Sequence, residues 1–221
     1  MGEQGKRLWE IYDRLLGAYG PQGWWPGETP FEVMVGALLT QATAWRNVER
    51  AIARLKAAGA LSPQALAALP QQKLEELIRP AGYFRQKARR LKALVDLILS
   101  QGGVEGLLSL PPEELREKLL AVPGIGPETA DSILLYAAGH PAFVVDAYTV
   151  RILRRLGLLA DEAAPYGKVQ ELFEKNLPRD APLYGEYHAL LVRHAKEHCR
   201  ARPRCAGCPL SDLCPAVGQG G

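Results

Sequence analysis

Apolar residues recur every three or four positions along most of the chain, and this spacing is typical of one face of an α-helix. In residues 6–19, for example, Leu8, Ile11 and Leu15 fall on the same side. The same spacing predicts further helices over residues 29–39, 43–58, 63–69, 72–78, 85–100, 112–121, 129–138, 146–156, 166–176 and 183–199. Strict alternation of apolar and polar residues is almost absent, and residues 142–145 are too short to be more than an extended linker. The pattern therefore predicts an all-α fold of about ten helices.

Residue types at two predicted helix boundaries support this interpretation. Thr29 and Glu32 have the spacing of a capping box, with Pro30 at the first helical position. Gly102 and Gly103 end the long helix that precedes them. The helices therefore begin and end where local chemistry favours a boundary.

The composition indicates an ordinary globular protein with one large or two modest domains, since 221 residues carry 48% hydrophobic and 23% charged side chains. No apolar stretch approaches a membrane span, and the N-terminus lacks the apolar core of a signal peptide, so we expect a cytoplasmic protein. The net charge of +3 does not by itself indicate a polyanionic partner. Basic residues do cluster at 85–92 and 193–204, as either solvated helix faces or a phosphate-binding surface.

All four cysteines lie within one sixteen-residue segment, with the spacing Cys199-x5-Cys205-x2-Cys208-x5-Cys214. Such closely spaced thiols in a cytosolic protein favour a metal centre over two disulfide bonds. Zinc ribbons usually show two Cys-x2-Cys pairs, and this segment has only one. The spacing therefore favours a [4Fe–4S] cluster, with a tetrahedral zinc ion as the alternative and disulfides as a third interpretation.

The histidines do not add a second metal site. His140, His188, His194 and His198 lack a carboxylate at matching spacing, so we expect ordinary surface or core residues.

Two glycines flank one apolar residue in the segment Pro123-Gly124-Ile125-Gly126, which separates two predicted helices. A tight turn of this kind beside a helix N-terminus suits a phosphate oxygen, although a plain helix–helix turn has the same composition. Asp146 follows twenty-two residues after Gly124 and opens the next helix. There it is either a helix cap or a group that carries chemistry.

Five motifs occur in order along the chain: residues 39–43, residues 82–88, the turn at 123–126, Asp146 and the cysteine segment. Together they resemble the helix-hairpin-helix DNA glycosylases of the endonuclease III superfamily, and the resemblance covers nearly the whole chain. It differs in the first gap between cysteines, which has five residues where the family usually has six. That difference removes no ligand, so the resemblance implies a [4Fe–4S] cluster on the four cysteines.

The resemblance also implies two interleaved domains. Residues 28–138 are expected to form a six-helix barrel that ends in the helix-hairpin-helix. Residues 1–27 are expected to join residues 139–221 in a helical domain that holds the cluster.

The resemblance implies a catalytic role for Asp146, as the carboxylate that stabilises the sugar cation and accepts a proton from the attacking water. At the second catalytic position, bifunctional members of the family carry a lysine, and here that position is Glu128. A carboxylate cannot form a Schiff base, so we expect a monofunctional glycosylase.

The resemblance assigns DNA contacts to two loops and the hairpin. Gln41 is expected to fill the space left by a flipped nucleotide, and Tyr83 to probe the opposite strand. The hairpin residues Pro123, Gly124, Ile125 and Gly126 are expected to contact the phosphate backbone.

Three tryptophans and a lysine are the candidates for a base pocket: Trp24, Trp25, Trp45 and Lys196. They resemble a sub-branch of the superfamily that includes a 3-methyladenine DNA glycosylase, although ordinary packing explains a single tryptophan equally well. Indole faces favour cationic bases, and alkylated purines carry such a charge. We therefore expect a monomeric enzyme that removes alkylated purines such as 3-methyladenine from double-stranded DNA.

Two alternatives remain open at this stage. One is a glycosylase for uracil, mismatched thymine or oxidised bases with weak AP-lyase activity. The other is a damage-sensing DNA-binding protein that lacks catalysis.

Overall fold

Small polar side chains cap the first turn of several helices in the computed structural model, which describes residues 2–159 and 164–217. Thr29 Oγ1 accepts a hydrogen bond from the N–H of Glu32 at 3.1 Å, and Ser62 caps its helix in the same way. The Glu32 carboxylate accepts from the N–H of Glu28. The expected capping box is therefore formed on its threonine side.

The described residues contain twelve α-helices: α1 Glu3–Tyr19, α2 Pro30–Leu39, α3 Trp45–Ala57, α4 Pro63–Ala68, α5 Gln71–Ile78, α6 Phe84–Ser100, α7 Val104–Leu108, α8 Pro112–Ala121, α9 Pro127–Tyr136, α10 Ala147–Arg155, α11 Tyr166–Glu174 and α12 Ala181–Glu197. Two 3₁₀ turns lie at Arg79–Ala81 and Ser211–Leu213, and no strand occurs in this part of the chain. The all-α prediction is confirmed. None of these helices is long and apolar enough to cross a membrane.

Helix α7 is the element that the apolar pattern does not predict. It has five residues, and Gly106 stands in its centre. A helix of little more than one turn shows no periodicity, and tertiary packing of the buried Leu107 sets its position.

The chain folds as two compact units, one of which is built from two separate stretches. The first unit comprises Met1–Trp24 and Pro141–Gly221 and holds α1, α10, α11, α12 and the cysteine segment. The second unit comprises Trp25–His140 and holds α2 to α9. Residues 1, 160–163 and 218–221 of the predicted cluster domain lie outside the described residues.

Aromatic rings form the core of the first unit. Phe143 and Phe173 stack with their centroids 3.7 Å apart, and Tyr187 meets both rings edge-on. The hydroxyl of Tyr187 donates to the carbonyl of Leu8 in α1 at 2.8 Å. Aromatic side chains bury large areas and satisfy their polar atoms at the same time, so this cluster fixes α12 against α1.

An apolar helix and a buried ion pair organise the second unit. Every residue of α2 from Phe31 to Leu39 is buried, and α2 packs against α9, α3 and α6. Arg116 of α8 binds Asp131 of α9 through both carboxylate oxygens, at 2.6 and 3.2 Å, and the Asp131 side chain is fully buried. Because these residues lie on the two helices of the hairpin, their bidentate pair fixes the angle at which the hairpin turns.

Candidate active site

Asp146 lies at the N-cap of α10 with extended backbone geometry. Its Oδ1 accepts hydrogen bonds from the N–H of Thr149 at 2.7 Å and from the Thr149 hydroxyl at 2.8 Å. The other oxygen, Oδ2, lies 3.7 Å from Nε2 of the buried His188 in α12. The helix-cap interpretation of Asp146 is therefore correct for one oxygen, and the second oxygen takes no part in that cap.

The surroundings of Asp146 keep its carboxylate ionised at neutral pH. Burial raises the pKa of this carboxyl, but the nearby His188 imidazole and the two hydrogen bonds from Thr149 lower it. The pKa of Asp146 is lowered overall, because the donors outweigh the loss of hydration. The site therefore presents a negative charge in a nearly water-free position.

The partner of Asp146 is a residue that the sequence analysis treated as ordinary. His188 lies 42 residues away in the chain, on a different helix, with 7% of its side chain exposed. No local spacing connects the two residues, so only the packing of α10 against α12 could reveal the pair.

The hairpin turns as its glycine content predicts. Gly124 has a φ of +85°, and a Cβ atom at this position would overlap the side chain of Arg90. Glycine is therefore required here both for the left-handed backbone and for space. Ile125 is buried as the apolar anchor of the turn, whereas Pro123 and Gly124 are exposed.

Gln41 is bound to the hairpin, which the sequence did not predict. Its Nε2 donates to the carbonyl of Gly124 at 3.0 Å and to the hydroxyl of Thr129 at 3.0 Å. Its Oε1 accepts from Nη1 of Arg90 at 2.5 Å. Together these three bonds tie the loop after α2 to the hairpin, so Gln41 is a tethered side chain in the protein without DNA.

Each of the two loops that resemble DNA-contacting motifs contains a strained residue. Ala42 has a φ of +52° and Tyr83 a φ of +45°, a conformation that residues other than glycine seldom adopt. Tyr83 is also 67% exposed, which is unusual for an aromatic ring. Strain of this kind persists where surrounding contacts impose it, and it is common at binding sites.

Lys87 supplies one of those contacts. The basic cluster at 85–92 was expected to lie on the surface, and for Lys87 this expectation is wrong. The residue is 1% exposed, and its ammonium donates to the carbonyls of Leu39 at 2.9 Å and Ala81 at 2.7 Å. Burial, and to a smaller extent the charge of Arg90, lowers the pKa of Lys87 to about 8. Lys87 therefore ties together the backbone segments that precede Gln41 and Tyr83.

The candidate pocket residues form two groups, one in each unit. In the second unit, Trp25 and Trp45 meet edge-on at 5.3 Å, and Trp25 also contacts Tyr136. A Cβ atom at Gly36 would lie 3.3 Å from Nε1 of Trp25, so the glycine makes room for the indole. In this unit the two tryptophans pack together as a half-buried aromatic surface.

The first unit holds the other group. The Lys196 ammonium lies 5.7 Å from the centroid of the Trp24 ring, within the range of a cation–π interaction. Both residues line a cavity of about 200 Å³, together with Gln22 and Glu197. The face of Trp24 that Lys196 covers is therefore already in contact with a positive charge.

The four cysteines line a single cavity and are unpaired, which argues against the disulfide interpretation. Arg155 Nη1 donates to Cys199 Sγ at 3.2 Å, and His194 Nε2 lies 3.9 Å from Cys208 Sγ. Burial raises the pKa of the Cys208 thiol, and the other three thiols raise it further. Within residues 2–159 and 164–217, no three His, Cys, Asp or Glu side chains have an arrangement that holds a metal ion.

Glu128 lies in the first turn of α9, directly after the hairpin, and is exposed. Its carbonyl accepts a hydrogen bond from the Ser132 hydroxyl at 2.7 Å. The chain therefore presents an exposed carboxylate at the start of the second hairpin helix.

An all-α fold in which a capped aspartate follows a Gly-x-Gly hairpin agrees with the resemblance to helix-hairpin-helix DNA glycosylases. A family model described as "HhH-GPD superfamily base excision DNA repair protein" matches residues 35–179. The chain belongs to this superfamily, and it is a DNA glycosylase.

Three similar proteins span nearly the whole chain. A provisionally named DNA repair glycosylase of Methanocaldococcus jannaschii is 48% identical over 94% of this chain and 95% of its own. A thymine-DNA glycosylase of Aeropyrum pernix is 31% identical over 94% of each chain. The crystal structure of Helicobacter pylori 3-methyladenine DNA glycosylase bound to 1,N6-ethenoadenine has a TM-score of 0.76 and 30% identity, and covers 89% of this chain and 98% of its own. Two of these relatives are named for a base, one for thymine and the other for 3-methyladenine.

Proposed function

We propose that this chain is a monofunctional DNA glycosylase that hydrolyses the N-glycosidic bond of a damaged base flipped out of double-stranded DNA. The observation that carries the proposal is the Asp146 carboxylate. It is ionised, its Oδ1 is held by Thr149, and its Oδ2 stands outside that cap. A fixed negative charge of this kind is suited to a positive charge that develops during the reaction.

The proposed reaction has two steps. The bond between C1′ and the base nitrogen breaks, its electron pair leaves with the base, and the sugar becomes an oxocarbenium-like cation. Asp146 stabilises this cation, water adds to C1′, and the released proton passes to the carboxylate. The products are the free base and an abasic sugar with a hydroxyl at C1′.

Glu128 supports the monofunctional assignment. Lyase activity in this superfamily proceeds through an imine between a lysine and C1′ of the sugar, and a carboxylate cannot form that bond. Water is then the nucleophile, and strand cleavage does not follow base release.

The hairpin and the two strained loops support the mode of DNA binding. We propose that the hairpin residues 123–126 contact the phosphate backbone, and that Tyr83 contacts the strand opposite the lesion. Gln41 would fill the vacated space only after its hydrogen bonds to Gly124, Thr129 and Arg90 have broken. A phosphate near the hairpin competes for the Arg90 guanidinium and so favours this release.

Alkylated purines are the proposed lesions. N3- or N7-alkylation gives the base a positive charge, which makes it a good leaving group and attracts it to indole faces. Trp25 and Trp45 present such faces in the second unit. A similar protein of known structure is named as a 3-methyladenine DNA glycosylase.

A neutral base is the second candidate, and one contact favours it. Lys196 already lies against the Trp24 ring, where a second cation is repelled. An ammonium only donates hydrogen bonds, so in a pocket it binds an acceptor such as a pyrimidine carbonyl. A thymine-DNA glycosylase is among the similar proteins.

A panel of duplexes, each with one lesion, tests both candidates. Wild type and Lys196→Gln are incubated with 3-methyladenine, ethenoadenine, uracil and G·T mismatch duplexes, and abasic sites are revealed by hot alkali. For a cationic base, we expect Lys196→Gln to release it about threefold faster or more, because a like charge has been removed. For a neutral base read by Lys196, the same variant releases it more slowly.

The sign of this change separates the candidates. Release of uracil or thymine without release of alkylated purines contradicts the proposed lesion class. Release of no base from any duplex contradicts the glycosylase proposal itself.

We propose that Cys199, Cys205, Cys208 and Cys214 hold a [4Fe–4S] cluster. Four thiolates are the donor set of such a cluster; here four unpaired thiols line one cavity, and Arg155 directs an N–H at one sulfur. When bound, the cluster supplies a rigid cross-link of the C-terminal segment. Arg155 also donates to the carbonyls of Arg200 and Ala201, so it holds this segment against the end of α10.

Anaerobically purified protein is expected to contain about four iron and four sulfide ions per chain. Cys208→Ser is expected to lose most of both and to unfold at a lower temperature, because one of four ligands is gone. Ser211→Ala changes the same segment without touching a thiol, and should keep its iron. Zinc in place of iron and sulfide would show that the cluster assignment is wrong.

A further inference from the structure

The second oxygen of Asp146 faces a buried imidazole. Nε2 of His188 lies 3.7 Å from Oδ2, within ion-pair distance, and the two side chains are 7% and 13% exposed. Oδ1 is held independently by the two Thr149 donors. The carboxylate is thus fixed at one oxygen by its own helix and approached at the other oxygen by α12.

The position of His188 on α12 is set by packing. Its neighbour Tyr187 is locked between Phe143, Phe173 and the carbonyl of Leu8. The backbone of His188, the next residue on α12, is therefore held in place together with this anchor. The packing of α12 against α10 therefore brings this buried imidazole to the Asp146 carboxylate.

Side chains from two helices act on the Asp146 carboxylate. From α12, His188 lies within ion-pair distance of the carboxylate and lowers its pKa. From α10, Thr149 contributes only uncharged donors. The phenol of Tyr166 in α11 lies nearby, 3.4 Å from the N–H of Val145. His188 is thus a titratable side chain that lies within ion-pair distance of this carboxylate.

We propose that His188 is a positioning residue of the glycosylase reaction, which holds the Asp146 carboxylate ionised and fixed in orientation through Oδ2. The inference rests on the catalytic role proposed above for Asp146. His188 makes no contact with the reacting atoms in this account, and it acts only through the aspartate. Without it, burial favours the neutral acid, which cannot stabilise a sugar cation.

Two variants of matched size separate charge and donation from packing. His188→Met fills a similar volume with an apolar chain, whereas His188→Gln keeps an N–H donor but carries no charge. Tyr184→Phe is the control on the same helix, since its buried hydroxyl has no hydrogen-bond partner among the described residues. We expect this control to behave as wild type.

The measurement is the single-turnover rate of base release between about pH 4 and pH 8, corrected for depurination without enzyme. Asp146 with a lowered pKa is ionised across most of this range, so wild type should be nearly flat above about pH 5. The rate of His188→Met should fall as the pH is lowered. The acid limb, which is the pH at which the rate reaches half its plateau value, should lie about one pH unit or more above that of wild type. The acid limb of His188→Gln should shift by less than that of His188→Met. The affinity of each variant for the lesion duplex should differ from that of wild type by less than about twofold.

A His188→Met variant with the acid limb of wild type overturns the inference. If that variant does not fold, the His188→Gln limb decides, and a position no higher than wild type overturns it. The proposed function is tested separately with Asp146→Asn. If Asp146→Asn releases base at the wild-type rate, the proposed function is wrong. If Asp146→Asn is inactive and the acid limb of His188→Met equals that of wild type, only the role of His188 is refuted.

Discussion

Replacing Asp146 with asparagine is expected to lower the single-turnover rate of base release by about 10²–10⁴-fold. The substitution removes the negative charge that stabilises the sugar cation and the oxygen that accepts the proton of water. Asparagine caps helices about as well as aspartate, so α10 should keep its start and the protein its stability. The rate is measured with enzyme in excess over a lesion duplex, and duplex affinity is measured alongside.

The chain offers a matched control for this variant. Asp180 caps α12 through the same contact, an N–H of the third following residue at 2.7 Å from Oδ1. Asp180→Asn changes a capping aspartate in the same chemical way and should leave base release unaltered. If both variants lose activity equally, the loss comes from the helix caps, and the catalytic role of Asp146 is wrong.

Replacing Glu128 with lysine is expected to create a borohydride-trapped adduct between protein and DNA where wild type forms none. The new amine stands in the first turn of α9, directly after the hairpin, at the position of the Schiff-base lysine in bifunctional relatives. A positive charge at a helix N-terminus costs about 0.3–1 kcal/mol, which this fold should tolerate. The adduct is measured by gel electrophoresis after reduction, and strand cleavage is scored without alkali.

Glu128→Gln is the control for the loss of negative charge, and it should form no adduct. Trapping by wild type itself would show that another amine attacks the sugar, and the monofunctional assignment would then be wrong. If Glu128→Lys binds DNA more tightly but forms no adduct, a side chain in this turn does not reach C1′.

The helices could be predicted because their boundaries depend on local chemistry. Thr29 and Pro30 begin α2, Gly102 follows the end of α6, and the apolar spacing between such signals is regular. Helix α7 was not predicted, because a five-residue helix around Gly106 is too short to show an apolar periodicity. The cysteine spacing was equally local, and the four thiols do line one cavity.

The contacts of Gln41 and Lys87 could not be predicted from residues close to them in the sequence. Both residues lie in polar or basic stretches that indicate solvent, yet Lys87 is buried and Gln41 is bound to the hairpin. Their partners are carbonyls and side chains more than forty residues away, apart from the nearby Ala81. Backbone carbonyls carry no signature in a sequence, so these bonds could not be predicted.

The sequence by itself determined the helical class, the hairpin, the clustering of the four thiols and the position of Asp146 at a helix start. Each of these depends on residues close together in the chain, where spacing and residue type express the physical constraint directly. Only the tertiary structure decided that Asp146 faces His188 and that its carboxylate stays ionised despite burial. Such electrostatic pairs arise from the packing of distant helices, which fixes distances that no periodicity records.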